Sequence, residues 1–349
     1  MPALALADAF TQMRPDARLL LVGAERGIES QVLPHHPYAF RLLPFEPLYR
    51  RSWWRNVRWP LVAWRVGRGV GDLLDRERPD VVIGTGGYAA GPVAWRAAAR
   101  GIPIVLQEQN AFPGLTTRWL ARRARQVHLG FPEAETRLRV GPTTRVFALG
   151  NPIRPPDLSR DVATARRDLG VDAARPCVLI FGGSQGARAL NQAVSGALAR
   201  GLMNDVSILW GTGVGHAAQL VHHALAGRVV VRGFFDPIGT AYRAADLVVC
   251  RAGAMTVAEL CAWGKPSVLV PLPTAAADHQ THNARALADA GAGVMLAERD
   301  LTPESLASLV GSLARDRGRL ESLGARARER GHPNASREIV STILTLLQS

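Results

Sequence analysis

A chain of 349 residues is too long for one compact core, and 47% hydrophobic with 20% charged residues excludes a disordered chain, so two globular domains are expected. The net charge of +13, mostly arginine, suits nucleic acid, an anionic membrane or a phosphorylated substrate. Nucleic-acid motifs of the common kinds are missing, so no nucleic acid is expected. Cys177, Cys250 and Cys261 have no CxxC spacing, which excludes a disulfide framework and a zinc site and leaves them as small buried hydrophobes. Neither a secretory signal nor an apolar run of about 18 residues occurs, so a cytoplasmic chain without a membrane span is expected.

The chain opens on a predicted helix with Leu4, Ala7 and Phe10 on one face, followed by a strand at Arg18–Gly23. This order is unusual, because a doubly wound domain normally opens with a strand and its glycine turn. Residues 44–68 interleave Leu48, Tyr49, Trp53, Trp54, Val57, Trp59, Leu61, Val62 and Trp64 with Arg50, Arg51, Arg55, Arg58, Arg65 and Arg68. No acidic residue lies between Leu48 and Gly71. Tryptophan with arginine suits a lipid headgroup layer, and Trp53, Trp54, Arg55, Arg58, Trp59 and Trp64 are the candidate membrane contacts. The alternative is a core helix with a solvated arginine face.

A strand, glycine turn and helix follow at Asp80–Val93, then a strand ending in polar residues at Ile102–Asn110. Polar groups at the carboxyl ends of parallel strands are where α/β proteins place ligands. Short strands are predicted at 127–131 and 145–149, and the proline-rich stretch Gly150–Pro156 is the expected linker. The second half repeats the alternation, with strands at 177–181, 206–210, 229–231, 247–250, 267–270 and 293–296 and a last helix from about Asn334 to Leu347. Two α/β halves joined by a hinge predict two domains facing a cleft.

The apolar strand Val178–Phe181, the small-residue turn Gly182–Gly186 and a helix carrying Ala187, Leu190, Val194, Ala197 and Leu198 form the strongest local signal. Glycines let backbone approach a phosphate, the helix N-terminus offers unpaired N–H groups, and Ser184 can add a hydroxyl donor. A tight turn without a ligand has the same signature. Further on, Thr256 and Glu259 lie one helical turn apart, where the carboxylate can accept both hydroxyls of a ribose or serve a capping box. Asp278, His279, Gln280, His282 and Asn283 cluster at a helix entry and suit hydrogen bonding to a sugar, or local capping, better than a metal.

Gly84-Thr85-Gly86-Gly87-Tyr88, Glu108-Gln109-Asn110, Gly150-Asn151-Pro152-Ile153-Arg154, Gly182–Ala187, Arg251–Glu259 and Asp278-His279-Gln280 with Asn283 occur in this order. Through these six motifs, from Pro2 to about residue 345, the chain resembles the MurG family of peptidoglycan glycosyltransferases. The resemblance implies an inverting transfer of N-acetylglucosamine (GlcNAc) from UDP-GlcNAc to the C4 hydroxyl of the muramoyl sugar of lipid I, giving lipid II. It implies the GT-B fold, two Rossmann-like domains facing a cleft. An acceptor- and membrane-facing domain would span 1–152, the donor domain 153–333, and a C-terminal helix at 334–349 would pack back on the first domain.

By position, Ser184 and Gln185 would meet the diphosphate, Arg154 the donor, and Phe235 the uracil through its backbone. Ala254, Met255, Thr256, Val257, Ala258 and Glu259 would line the nucleoside, with Glu259 on the ribose, while Gln280 reads sugar hydroxyls. Asn110 would reach the donor sugar with Glu108 close by, a candidate catalytic residue. Gly86, Gly87 and Tyr88 would form the loop for the acceptor and its phosphates. No cofactor and no metal are implied. The partners implied are UDP-GlcNAc, lipid I, an anionic membrane surface and other cell-wall synthesis proteins, at the cytoplasmic face of the membrane.

One departure stands out. The family begins with a strand and a Gly-Gly-Thr-Gly-Gly-His loop, and Pro2–Ala7 matches the helix after that loop. The histidine usually proposed as general base goes with it, and losing a general base costs about 10²–10⁴-fold in rate. We therefore expect Met1 to be an incorrect or internal start, and the chain as given to bind the donor but to be weakly active or inactive. The rival readings are a diacylglycerol glycosyltransferase and a non-catalytic UDP-sugar-binding protein.

Overall fold

A computed structural model describes residues 2–27, 29–45, 59–183 and 186–348. Two compact units emerge: Met1–Ile153 with Asn334–Ser349, and Arg154–Pro333. Each is built on parallel strands clothed by helices.

In the first unit the helix Pro2–Met13 precedes β1 (Leu20–Ala24) and β2 (Ala39–Leu43). Next come β3 (Val82–Gly84), β4 (Ile104–Glu108), β5 (Gln126–Leu129) and β6 (Arg145–Phe147). The sequence reading has no counterpart to β2, whose Phe40, Leu42 and Leu43 are only half-buried and flanked by prolines. Hydrogen bonding runs β3-β4-β5-β6 in one sheet and β1-β2 in another, and among the described residues no ladder joins β1 to β3. Both pieces nevertheless rest on the helix Gly87–Ala99, and Ala24 shares a core with Ile104, Leu106 and Val127. On the other face Leu6, Ala9 and Phe10 pack with Ile339, Val340 and Ile343 of the helix Ala335–Gln348, against Val105. The apolar stripe of that last helix, repeated every three to four residues, explains why it docks here.

The second unit holds β7 (Cys177–Phe181), β8 (Ser207–Gly211), β9 (Val229–Arg232), β10 (Leu247–Cys250), β11 (Ser267–Leu269) and β12 (Val294–Met295). Their order is β12-β11-β10-β7-β8-β9, all parallel. Strands β7, β8 and β10 are buried throughout, as continuous apolar runs covered on both faces should be. The direction of winding reverses between β7 and β10. In open α/β sheets the ligand crevice lies at that reversal, outside the carboxyl ends of the strands.

Candidate functional site

The loops after β7 and β10 meet at this reversal. Past Phe181 the backbone folds so tightly that a Cβ on Gly182 would lie 2.3 Å from the amide nitrogen of Ala187. Gly183 and Gly186 have φ of +91° and +75°, and the Gly186 amide donates to the Gly183 carbonyl at 2.9 Å. A Cβ on Gly186 would meet the Thr212 carbonyl oxygen at 2.2 Å, so only glycine fits where this loop crosses the end of β8. The helix Arg188–Ala199 starts immediately after, without a side-chain cap, leaving its first amides to a ligand or water. Ser184 and Gln185, the expected diphosphate contacts, lie outside the described residues.

Asn191 braces the loop from behind. Its amide donates to the Thr212 carbonyl at 2.8 Å and its Oδ1 accepts from the Trp210 indole at 3.0 Å. The sequence reading overlooked Asn191, although a polar residue on the buried face of an otherwise apolar helix is the signal of such a brace.

Beyond β10, Gly253 starts the helix Ala254–Trp263, again without a side-chain cap. Asn283 donates to the Ala252 carbonyl at 3.1 Å and fixes this turn. Ala254 and Val257 are buried, so their side chains face the core, and only Met255, Thr256, Ala258 and Glu259 are partly open. The capping-box alternative for Glu259 does not hold. Its Oε2 accepts from the Tyr242 hydroxyl at 2.9 Å instead of turning to the helix start. Burial pushes the Glu259 carboxyl above its ordinary pKa, and the Tyr242 hydrogen bond opposes that shift.

Arg251 opens the motif Arg251–Glu259 just past the end of β10. Its guanidinium donates to the Val270 and Pro271 carbonyls at 3.2 and 3.3 Å and pairs with Glu298, tying three loops together. Gln280 turns inward, its Oε1 accepting from the Leu272 amide at 3.0 Å. Phe235 is buried, with the Arg232 guanidinium 5.5 Å from its ring centroid, so its backbone is what it can offer a ligand. Arg154 is exposed at the start of the unit. Among the described residues no three His, Cys, Asp or Glu side chains converge on a metal position.

The first unit has its own loop cluster. Gly86 and Gly87 adopt φ of +83° and +77° and deliver the helix Gly87–Ala99, which includes Tyr88. A Cβ on Gly86 would lie 2.9 Å from Oε1 of Gln109. Gln109 donates to the Thr85 carbonyl at 2.9 Å, joining this turn to the loop after β4. Glu108 is buried at that strand's end. Its Oε1 accepts from the Asn110 backbone at 3.1 Å and, more weakly, from the Asn110 side chain at 3.4 Å. Its Oε2 accepts from the Gly114 amide at 2.9 Å and the Thr117 hydroxyl at 2.5 Å. Asn151 donates to the Gln109 carbonyl and accepts from Gln107, both at 2.9 Å. Glu108, Asn110, Gly86 and Gly87 are thus one cross-linked cluster.

Residues Trp53, Trp54, Arg55 and Arg58 lie outside the described residues. Trp59 and Trp64 fall in the helix Trp59–Glu77, whose later turns bury Val66, Val70 and Leu74 and expose Arg65 and Arg68. The structure adds two tryptophans that the sequence reading passed over: Trp95 at 51% exposure and Trp119 at 73%. Their helices, Gly87–Ala99 and Leu115–Leu120, pack side by side where Gly91 meets Thr116. Arg118, Arg122 and Arg123 surround Trp119 in sequence. Among the described residues no helix is long and apolar enough to cross a membrane.

Residues 1–129 match the glycosyltransferase family 28 N-terminal domain and residues 177–339 its C-terminal domain. The UDP-N-acetylglucosamine–N-acetylmuramyl-(pentapeptide) pyrophosphoryl-undecaprenol N-acetylglucosamine transferase of Moorella thermoacetica is 39% identical over 100% of this chain and 96% of its own length. That of Chlorobium luteolum is 40% identical over 99% and 95%. The chain belongs to the MurG family. The crystal structure of Acinetobacter baumannii MurG matches with a TM-score of 0.78 and 30% identity, covering 99% of this chain and 95% of that one. The MurG-type architecture is the GT-B fold of two α/β units with parallel sheets. A UDP-GlcNAc 2-epimerase from Neisseria meningitidis, solved with UDP-GlcNAc, shares that fold at 13% identity and a TM-score of 0.66, covering 99% of this chain and 97% of its own.

Proposed function

We propose that this protein transfers GlcNAc from UDP-GlcNAc to the C4 hydroxyl of the muramoyl sugar of lipid I, with inversion, forming lipid II. The observation that carries this reading is the pair of glycine-led helix starts at the β7–β10 reversal, with Glu259 one turn into the second, in a chain 39% identical throughout to a transferase named for that reaction. A nucleoside diphosphate needs just these groups: unpaired amides and a helix end for the phosphates, and a carboxylate for the ribose.

In the proposed reaction the acceptor hydroxyl attacks the anomeric carbon as its proton leaves to a base. The bond to the UDP oxygen breaks and the diphosphate takes the electron pair. The turn around Ser184 and Gln185 and the first amides of the helix Arg188–Ala199 stabilise that charge. Arg154 and Gln280 contact the donor, the Phe235 backbone holds the uracil, and Asn110 meets the sugar. Glu108, with both oxygens committed to its own loop, acts by presenting Asn110. Tyr88 with Gly86 and Gly87 serves the acceptor. Trp95 and Trp119, with the 53–64 stretch, set the enzyme on anionic lipid as a peripheral protein at the cytoplasmic face, within reach of a lipid-linked acceptor and of other cell-wall synthesis proteins.

The test is transfer of labelled GlcNAc by the full chain to lipid I presented in anionic vesicles, with diacylglycerol as a second acceptor. Lipid II formation with stoichiometric UDP release is the expected result. Label on diacylglycerol alone, or no binding of UDP-GlcNAc by the folded chain, would refute the proposal.

A further inference from the structure

Tyr242 and Glu259 come from different helices, Ile238–Ala244 and Ala254–Trp263, and meet through one hydrogen bond of 2.9 Å. Tyr242 is held on several sides. Its ring lies edge-on to Phe181, at the end of β7, with centroids 6.2 Å apart, and 5.9 Å from the ring of Trp263. At 1% exposure it cannot follow the carboxylate, so the carboxylate takes its position from the phenol.

A phenol in such a pocket is expensive unless it bonds, and a phenylalanine would fill the same space without that cost. The described bond of the hydroxyl goes to Glu259 Oε2, and Oε1 is uncommitted among the described residues. An ionised carboxylate has about four acceptor positions, so Oε2 can take a second donor beside Tyr242. The same bond favours the ionised form against the burial that disfavours it. The helix carrying Tyr242 begins three residues after Phe235, so one short element links the proposed uracil contact to the carboxylate.

We propose that Tyr242 is a positioning residue of the donor site, its hydroxyl fixing the Glu259 side chain so that the carboxylate accepts both hydroxyls of the uridine ribose. This rests on the reading of Glu259 as the ribose contact.

The experiment compares UDP with 2′,3′-dideoxyuridine diphosphate in calorimetric titrations of the full chain, its Tyr242→Phe variant and its Glu259→Ala variant. Tyr242→Phe keeps the ring contacts and should weaken UDP about tenfold while changing the dideoxy ligand by less than about twofold. In transfer assays KM for UDP-GlcNAc should rise by the same factor at nearly constant kcat, as for lost uniform binding. Equal weakening of both ligands would make the hydroxyl a packing element and overturn the proposal, and so would unchanged UDP binding. If Glu259→Ala binds the two ligands as the parent does, the ribose reading itself fails. If Glu259→Ala loses the discrimination and Tyr242→Phe keeps it, only the positioning role fails. Should Tyr242→Phe not fold, 3-fluorotyrosine at position 242 retains the hydroxyl. Its fluorine resonance should move with UDP and not with the dideoxy ligand, and equal movement with both would overturn the proposal.

Discussion

The Thr117 hydroxyl donates to Oε2 of Glu108 at 2.5 Å, closing a loop between residues nine positions apart around one buried carboxylate. Both oxygens of Glu108 are engaged, with Asn110, Gly114 and Thr117. That distribution suits an organiser better than a proton acceptor, because each loop bond would weaken on protonation. Thr117→Val removes one donor and keeps the shape. It should lower kcat for GlcNAc transfer about threefold to tenfold and leave UDP affinity unchanged, since UDP is assigned to the other unit. Unchanged kcat would count against the organising role.

His128 provides a pH prediction. It is fully buried and stacked on Phe147, with ring centroids 5.2 Å apart. Gln126 donates through its amide to the Thr342 carbonyl at 2.9 Å and faces His128 Nε2 with its oxygen at 3.1 Å. This assigns the ring proton to Nε2 and leaves Nδ1 buried without a partner. Burial lowers the His128 pKa from 6.5 to about 4. The unfolded chain binds the proton first, so the stability of the neutral form is fully present above about pH 6.5 and is lost progressively as pH falls to about 4. The loss is on the order of 3 kcal/mol. His128→Gln, with a donor for Gln126, should flatten the fall in melting temperature between about pH 7 and 5. An identical fall in parent and variant would exclude His128 as its source.

Gly183 and Gly186 share positive φ but differ in their surroundings. A Cβ on Gly183 meets nothing within 4 Å, whereas one on Gly186 meets Thr212 at 2.2 Å. Gly183→Ala should therefore cost only the left-handed conformation, about 1–2 kcal/mol. Gly186→Ala must also displace the loop, and UDP affinity should drop by roughly 100-fold or more. Titration with UDP checks this, and equal losses would mean that crowding at Thr212 is not the constraint.

Trp119 is 73% exposed, so replacing it should leave the fold intact. If this face meets lipid, Trp119→Ser should reduce partitioning onto anionic vesicles by roughly tenfold at unchanged melting temperature. Added salt should weaken the remaining binding, through the arginines. Partitioning equal to that of the parent would remove Trp119 from the lipid-binding surface.

The second unit was largely legible because its strands are continuous apolar runs ending in glycine turns, and both features are local in sequence. The donor motifs were visible for the same reason. What escaped were relationships between distant segments. Strand β2 has a weak pattern and exists because β1 offers it an edge. Asn191 and Arg251 read as ordinary helix and loop residues until Thr212, Trp210, Val270 and Glu298 are brought beside them. The partner of Glu259 was invisible for the same reason. A capping box is a local rule, whereas Tyr242 lies 17 residues earlier and reaches the carboxylate only through the packing of two helices.

The break between β1 and β3 has a consequence for how the first unit opens. Six strands in one sheet would leave two edges, but the pairs β1-β2 and β3-β4-β5-β6 leave four among the described residues. A two-stranded ribbon is marginal by itself. The amides of β1 and β2 should therefore exchange with solvent through local opening, while those of β4, flanked on both sides, wait for a larger opening.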